Sequence, residues 1–250
     1  EAMFVRKEIM PQKLVPIVLH RIVQDATSIW EDVHIDQWNR ILHFATHLSD
    51  RKYSDKFSLL ITFDDGCDSD YDIVFPSLLE SDLSATFFII TDRVGVKGYL
   101  NWQQISEMKR YGMNIGSHSK SHIDLTSISL NEAGTEMSSS KKIIEDKLSA
   151  SIDSFSFPYG LYNSGLIDFA LSNFYKKVFT SQHGLANPTQ QVFPRNSINS
   201  TMRQSDIFKI IEPSLQTIIT WQVEDRLKSI LKKSVGAENY KKIRKIIAGN

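Results

Sequence analysis

Short apolar runs of strand length recur along the chain, separated by segments whose apolar residues return at helical intervals. LVPIVLH (Leu14 to His20) is one such run. DQWNRILHFATHL behind it places Trp38, Ile41, Leu42, Ala45 and Leu48 on one helical face, with Asp36 as the expected cap. SLLITF reads as a buried strand, DIVFPSLLES as a short helix disturbed by Pro76, and SATFFII as a strand rich in β-branched and aromatic residues. NWQQISEMKRYG carries an Asn101 cap, apolar Trp102, Ile105 and Met108, and a stop at Gly112; MNIGSH is the strand after it. Ser129 and Glu132 have the spacing of a capping box, ahead of a helix that bears Ala133, Met137, Ile144 and Leu148. SFSFPYG then predicts a strand and a turn, LIDFALSNF a helix, and KKVFTS one more strand.

Strands alternating with helices predict a parallel sheet. Units that continue over roughly 200 residues favour closure into an α/β barrel, with chemistry at the C-terminal ends of its strands. At 250 residues, 41% of them hydrophobic, the chain can bury one substantial core. The barrel domain is placed at residues 1–216, and a basic segment at 217–250. From Arg226 to Asn250 there are eight Lys or Arg and one Glu, with Leu227, Ile230 and Leu231, then Ile243, Ile246 and Ile247, at helical intervals. Two amphipathic helices hinged near Gly236 are expected. Such stripes either pack on the barrel with their lysines in water or lie on an anionic membrane surface.

A formal net charge of zero gives no whole-chain argument for nucleic acid, and no nucleic-acid partner is expected. The single cysteine, Cys67, cannot form an internal disulfide and leaves no zinc-finger spacing, so metal chemistry must rest on oxygen and nitrogen ligands. No stretch of about 18 apolar residues occurs, and the N-terminus lacks a basic start followed by an unbroken apolar core. The expectation is a soluble chain, cytoplasmic or peripheral at the membrane.

Two strand ends carry titratable clusters. TFDDG sets Asp64 and Asp65 side by side after SLLITF, where two unpaired buried carboxylates would cost roughly several kcal/mol each; they need a cation or protons. GSHSKSH sets His118 and His122 four apart, within reach of one another in a helical turn or a tight loop. Two imidazoles and one carboxylate make a three-ligand site for a divalent metal such as zinc, with a fourth position left for water. The other aspartate can then act as the base. Singly, each motif has an ordinary reading: a solvated turn, or surface histidines. Their succession at strand ends is what favours the metal.

TFDDG (Thr62 to Gly66), HSKSH (His118 to His122) and SFPYG (Ser156 to Gly160) resemble, in order, the first three motifs of the polysaccharide deacetylases, the NodB-homology or carbohydrate esterase family 4 proteins. The resemblance runs from about Val15 to Ile198 and implies that family's distorted (β/α) barrel. It further implies a divalent metal, zinc foremost, held by Asp65, His118 and His122. Asp64 is then the base in hydrolysis of an N-acetyl group on an amino sugar, within an acetylated glycan. Ser156 stands where the family often has an arginine that orients the base. VPIVLHRI resembles the opening strand of the poly-N-acetylglucosamine deacetylase branch, in which the motif order is circularly permuted. That implies His20 as the general acid, with His183 in TSQHGLANP as the rival, and FPRNSI implies that Arg195 supplies the charge absent at Ser156. Tyr159, in the PYG turn, is implied as the donor of a backbone N–H to the oxyanion. Trp102 is left to core packing. Two alternatives stay open, an O-acetyl esterase and a catalytically silent carbohydrate-binding barrel; only Ser156 supports the latter.

Overall fold

The computed structural model describes residues 13–46 and 57–235. Leu48 of the first predicted helix and Gly236 with the second basic helix lie outside them. In chain order the strands are β1 (Lys13–Leu19), β2 (Ile22–Val23), β3 (Val33–His34), β4 (Phe57–Phe63), β5 (Thr86–Ile89), β6 (Asn114–Ser117), β7 (Ser154–Ser156), β8 (Lys177–Phe179), β9 (Val192–Phe193) and β10 (Asn196–Ser197). The helices are α1 (Ile35–Thr46), α2 (Phe75–Glu80), α3 (Trp102–Arg110), α4 (Leu130–Leu148), α5 (Ser164–Asn173), α6 (Gln204–Ile211) and α7 (Leu215–Val235).

Eight strands form one parallel sheet in the order β10-β1-β4-β5-β6-β7-β8-β9, while β2 and β3 pair separately. Its backbone is the long β1–β4 pairing, in register from Lys13 opposite Phe57 to Leu19 opposite Phe63. The two edge strands are consecutive in the chain, separated only by Pro194 and Arg195. Residues 192–193 pair with β8 and residues 196–197 with β1, so one kinked segment joins both edges of the curl. Pro194 sits at the kink, where its missing N–H breaks the ladder. The expected parallel barrel is therefore observed, drawn shut through a broken strand.

Two apolar layers follow from the alternation of strand side chains. Ile17, Leu19, Ile61, Phe63, Phe87, Ile89 and Phe155 pack outward under the helices. Phe88, Phe179, Phe193 and Ala186, with Leu14 and Leu60, form a smaller cluster inside the curl. Gly116 belongs to that inner face, since a Cβ there would come within 2.5 Å of the Phe88 ring.

The helices start where their caps put them. Asn101 with Gln104 and Ser129 with Glu132 form reciprocal capping boxes at α3 and α4. Pro76 falls where the π-turn at Asp70–Val74 passes directly into α2, so the disturbed turn expected there is observed. One detail differs from the sequence reading. Asp36 is inside the first turn of α1 rather than capping it, and α1 buries Trp38, Ile41 and Phe44 while Leu42 and Ala45 are half-buried. Among the described residues no helix is long and apolar enough to cross a membrane.

Candidate active site

The same alternation selects the side chains at the mouth of the curl. Leu14 and Leu60 face inward, so His20 closes the inner face of β1 while Thr62 and Asp64 continue that of β4. Gly116 faces inward, hence His118 does too. Phe155 packs outward, so Ser156 turns in. Asp64 is tied directly to the first strand, its N–H donating to the Leu19 carbonyl at 3.0 Å.

Arg195 comes from the kink between β9 and β10. It is 2% exposed, and all five of its N–H donors are used. Nη1 donates to Asp64 Oδ1 at 2.7 Å and to Thr62 Oγ1, and Nη2 to Asp64 Oδ2 at 2.8 Å and to Ser156 Oγ at 2.7 Å. Nε reaches the Thr180 carbonyl, and the guanidinium lies over the Phe88 and Phe179 rings. Ser156 Oγ in turn donates to Asp64 Oδ2 at 3.0 Å. Burial pushes the Asp64 carboxyl up, but the Arg195 guanidinium, then His118, overcome it and hold the group well below the usual carboxylate range. Asp64 is thus a fixed, ionised carboxylate whose oxygens are largely occupied.

Asp65 is the opposite case. Its Oδ1 is buried with no hydrogen-bond partner, and two imidazole nitrogens face it: His118 Nε2 at 3.5 Å and His122 Nε2 at 3.4 Å. His118 Nδ1 lies 2.8 Å from the Ser156 carbonyl, which can only accept, so Nδ1 carries a proton and Nε2 is the ring nitrogen aimed at Asp65. Burial, then His118, push His122 down to about 4, leaving that ring neutral around pH 7. One carboxylate oxygen and two imidazole nitrogens converge, with ligand atoms within 4.8 Å of one another. That donor set fits a divalent cation.

The loops bearing these groups are locally strained. Asp65 (φ 78°), Ser119 (63°), His122 (63°) and Tyr159 (57°) all adopt left-handed backbone, which costs a non-glycine residue roughly 1–2 kcal/mol. Something must hold them. The His118–His122 loop is clamped from α4 by Glu136, whose carboxylate accepts from the Lys120 N–H at 3.1 Å, the Ser121 N–H at 2.8 Å and Ser121 Oγ at 2.9 Å. The Tyr159 ring packs on His122, centroids 4.4 Å apart, and is 51% exposed, marking where the site opens to solvent.

The remaining candidates fall as follows. His20 Nδ1 is buried without a partner, and its ring is close enough to lower the Asp64 carboxyl. His183 turns away to α7: its N–H and Nδ1 meet the Asp225 carboxylate at 3.0 and 3.4 Å, and its ring stacks on Trp221. Trp102 is half-buried against the main core. Glu136 escaped the sequence reading, because a helix glutamate says nothing of the loop it meets. Asp70 escaped it as well. It is fully buried, neither oxygen has a hydrogen-bond partner, and burial followed by the charge of Asp65 pushes its carboxyl well up, favouring the protonated form. Its place as the fourth acid of the run, five residues after Asp65, is its only signal.

Comparison with known proteins agrees with this geometry. A sequence model of the family described as Polysaccharide deacetylase matches residues 51–178. The Bacillus subtilis (strain 168) protein YxkH, a polysaccharide deacetylase by name, is 32% identical over 144 residues, which is 58% of this chain and 51% of that protein. The chain thus spans about half the length of that relative. Among solved structures, the Streptococcus pyogenes deacetylase PplD in complex with acetate superposes with a TM-score of 0.71 at 25% identity, over 81% of this chain and all of that one. IcaB from Ammonifex degensii shares the fold, with a TM-score of 0.68 at 18% identity over 80% of this chain and 97% of its own. The matched stretch takes in the Asp64–Asp65 pair, both facing histidines and the Ser156–Gly160 turn, and the chain belongs to the polysaccharide deacetylase family.

Proposed function

We propose that this protein is a metal-dependent hydrolase that removes N-acetyl groups from an amino sugar within an acetylated glycan. The observation that carries the reading is the division of labour between adjacent aspartates: Asp64 clamped by Arg195, and Asp65 bare and facing two imidazoles. Asp65, His118 and His122 would hold the cation, for which zinc suits two imidazoles and a carboxylate best. Bound there, a divalent cation supplies Lewis-acid polarisation of water and of the acyl oxygen.

The chain's own residues supply the rest. Asp64 takes the proton of the attacking water, and Arg195 with Ser156 keeps that carboxylate ionised and aimed while it does so. The backbone N–H of Tyr159 serves the oxyanion as the water oxygen bonds to the acyl carbon. His20 then protonates the departing nitrogen as the C–N bond breaks, giving acetate and a free amine. Arg195 at Ser156 supplies the positive charge whose loss was the sole argument for a silent barrel. Asp64→Asn is expected to keep its metal and lose about 10²–10⁴ in turnover, whereas His118→Ala loses the metal itself. Metal analysis beside acetate release from an N-acetylated amino-sugar oligomer separates the two. Undiminished turnover in Asp64→Asn would exchange the roles of the aspartates.

A further inference from the structure

Helix α7 has two unlike faces. On one, Trp221 is buried, Ile218 packs on the main core, and Asp225 holds the backbone and ring of His183. On the other, Leu215, Ile219, Val223 and Leu227 recur every fourth residue and are 75%, 50%, 52% and 59% exposed. The remaining exposed large apolar side chains of the described residues form no such row along one helix. An apolar stripe this long on a face turned from the core needs an occupant.

The charge of the chain says which. Residues 226–250 hold eight Lys or Arg and one Glu, so the remaining 225 residues carry 21 basic against 28 acidic groups. The net charge of zero therefore conceals an excess of seven positive charges at the end of the chain that α7 enters. Exposed Arg226 begins that basic stretch within the stripe itself. A second copy of the chain would bring two such tails together. An anionic surface would be attracted to both the stripe and the tail.

We infer that α7 docks this protein on an anionic lipid bilayer, with Leu215, Ile219, Val223 and Leu227 entering the headgroup boundary, exposed Arg226 meeting the lipid phosphates and the basic sequence after it adding to the attraction. α7 leans on the loop that follows β8, at the same end of the sheet as Asp64 and His118. Docking there brings the mouth of the site to the membrane and selects glycans held at its surface. That last consequence rests on the proposed deacetylation, whereas the docking does not.

Vesicle flotation of the full chain, read without turnover, tests the docking alone. Vesicles of phosphatidylcholine are compared with vesicles that also contain phosphatidylglycerol, using wild type, Ile219→Ser/Val223→Ser, and Lys241→Gln/Lys242→Gln/Arg244→Gln/Lys245→Gln. Wild type is expected to float only with phosphatidylglycerol. Each variant should reduce the bound fraction by about tenfold or more with an unchanged thermal melt. Three results would overturn the inference: no flotation of wild type, equal flotation of the stripe variant, or a wild-type dimer in solution that the stripe variant dissociates.

Discussion

The Arg195–Asp64 pair is buried on both sides, with side chains 2% and 5% exposed, so its removal is asymmetric in effect. Arg195→Met leaves an ionised carboxylate without a counter-charge and should cost about 3–5 kcal/mol of stability, whereas adding Asp64→Asn should recover much of it. Urea midpoints of the single and double variants measure this, and equal loss in both would show that the guanidinium acts by packing alone. The sign with pH follows from the lowered carboxyl: the pair's stabilisation is present above the ordinary aspartate value of about 3.9 and fades as pH falls below it. His20 and His183 separate in the same way. His20→Ala should keep the metal and lose turnover, since its ring closes the inner face of β1 near enough to act on the Asp64 carboxyl. His183→Ala should act mainly on the seating of α7, because its partners are Asp225 and Trp221. Turnover abolished by His183→Ala with substrate still bound, and untouched by His20→Ala, would transfer the acid role to the later loop.

At the scale of elements, the strand register does most of the work, and it is the part most legible in the sequence. Alternation in LVPIVLH and SLLITF already puts His20 and Asp64 on one face, and the Ser129–Glu132 spacing already marks the start of α4. What local pattern could not carry is contact between elements distant in the chain. The Arg195 clamp depends on both edges of the sheet meeting at Pro194, a pairing across more than 130 residues. The Glu136 clamp depends on how α4 lies over the loop it follows. The loop bears three left-handed or histidine-bearing positions, and beside the His122 N–H on Ser119 Oγ and the Asp92 N–H on the Lys120 carbonyl, Glu136 is its charged brace. Glu136→Ala should therefore weaken metal affinity or activity by about 10–100-fold, with little change in the helix itself. Zinc titration against a competing chelator, alongside circular dichroism, reads both; unaltered affinity would leave the loop self-supporting.

For the molecule as a whole, the unsatisfied polar atoms are gathered in one region. Among the described residues, the buried side-chain atoms without hydrogen-bond partners belong to His20, Asp65, Asp70, Thr91 and His122. All lie at or just beyond the C-terminal ends of β1, β4, β5 and β6. Folded proteins satisfy the large majority of such groups, so their concentration at one mouth marks it as built for something that binds there. The kink at Pro194 and the outward apolar layer supply the rigidity against which that centre is held. Its character is tested most directly by acetate release from an N-acetylated amino-sugar oligomer, measured on protein stripped by a chelator and then reloaded with zinc. The account predicts no release from the stripped protein, recovery as a single ion per chain is bound, and no recovery in His118→Ala. Full acetate release from the metal-free protein would contradict it.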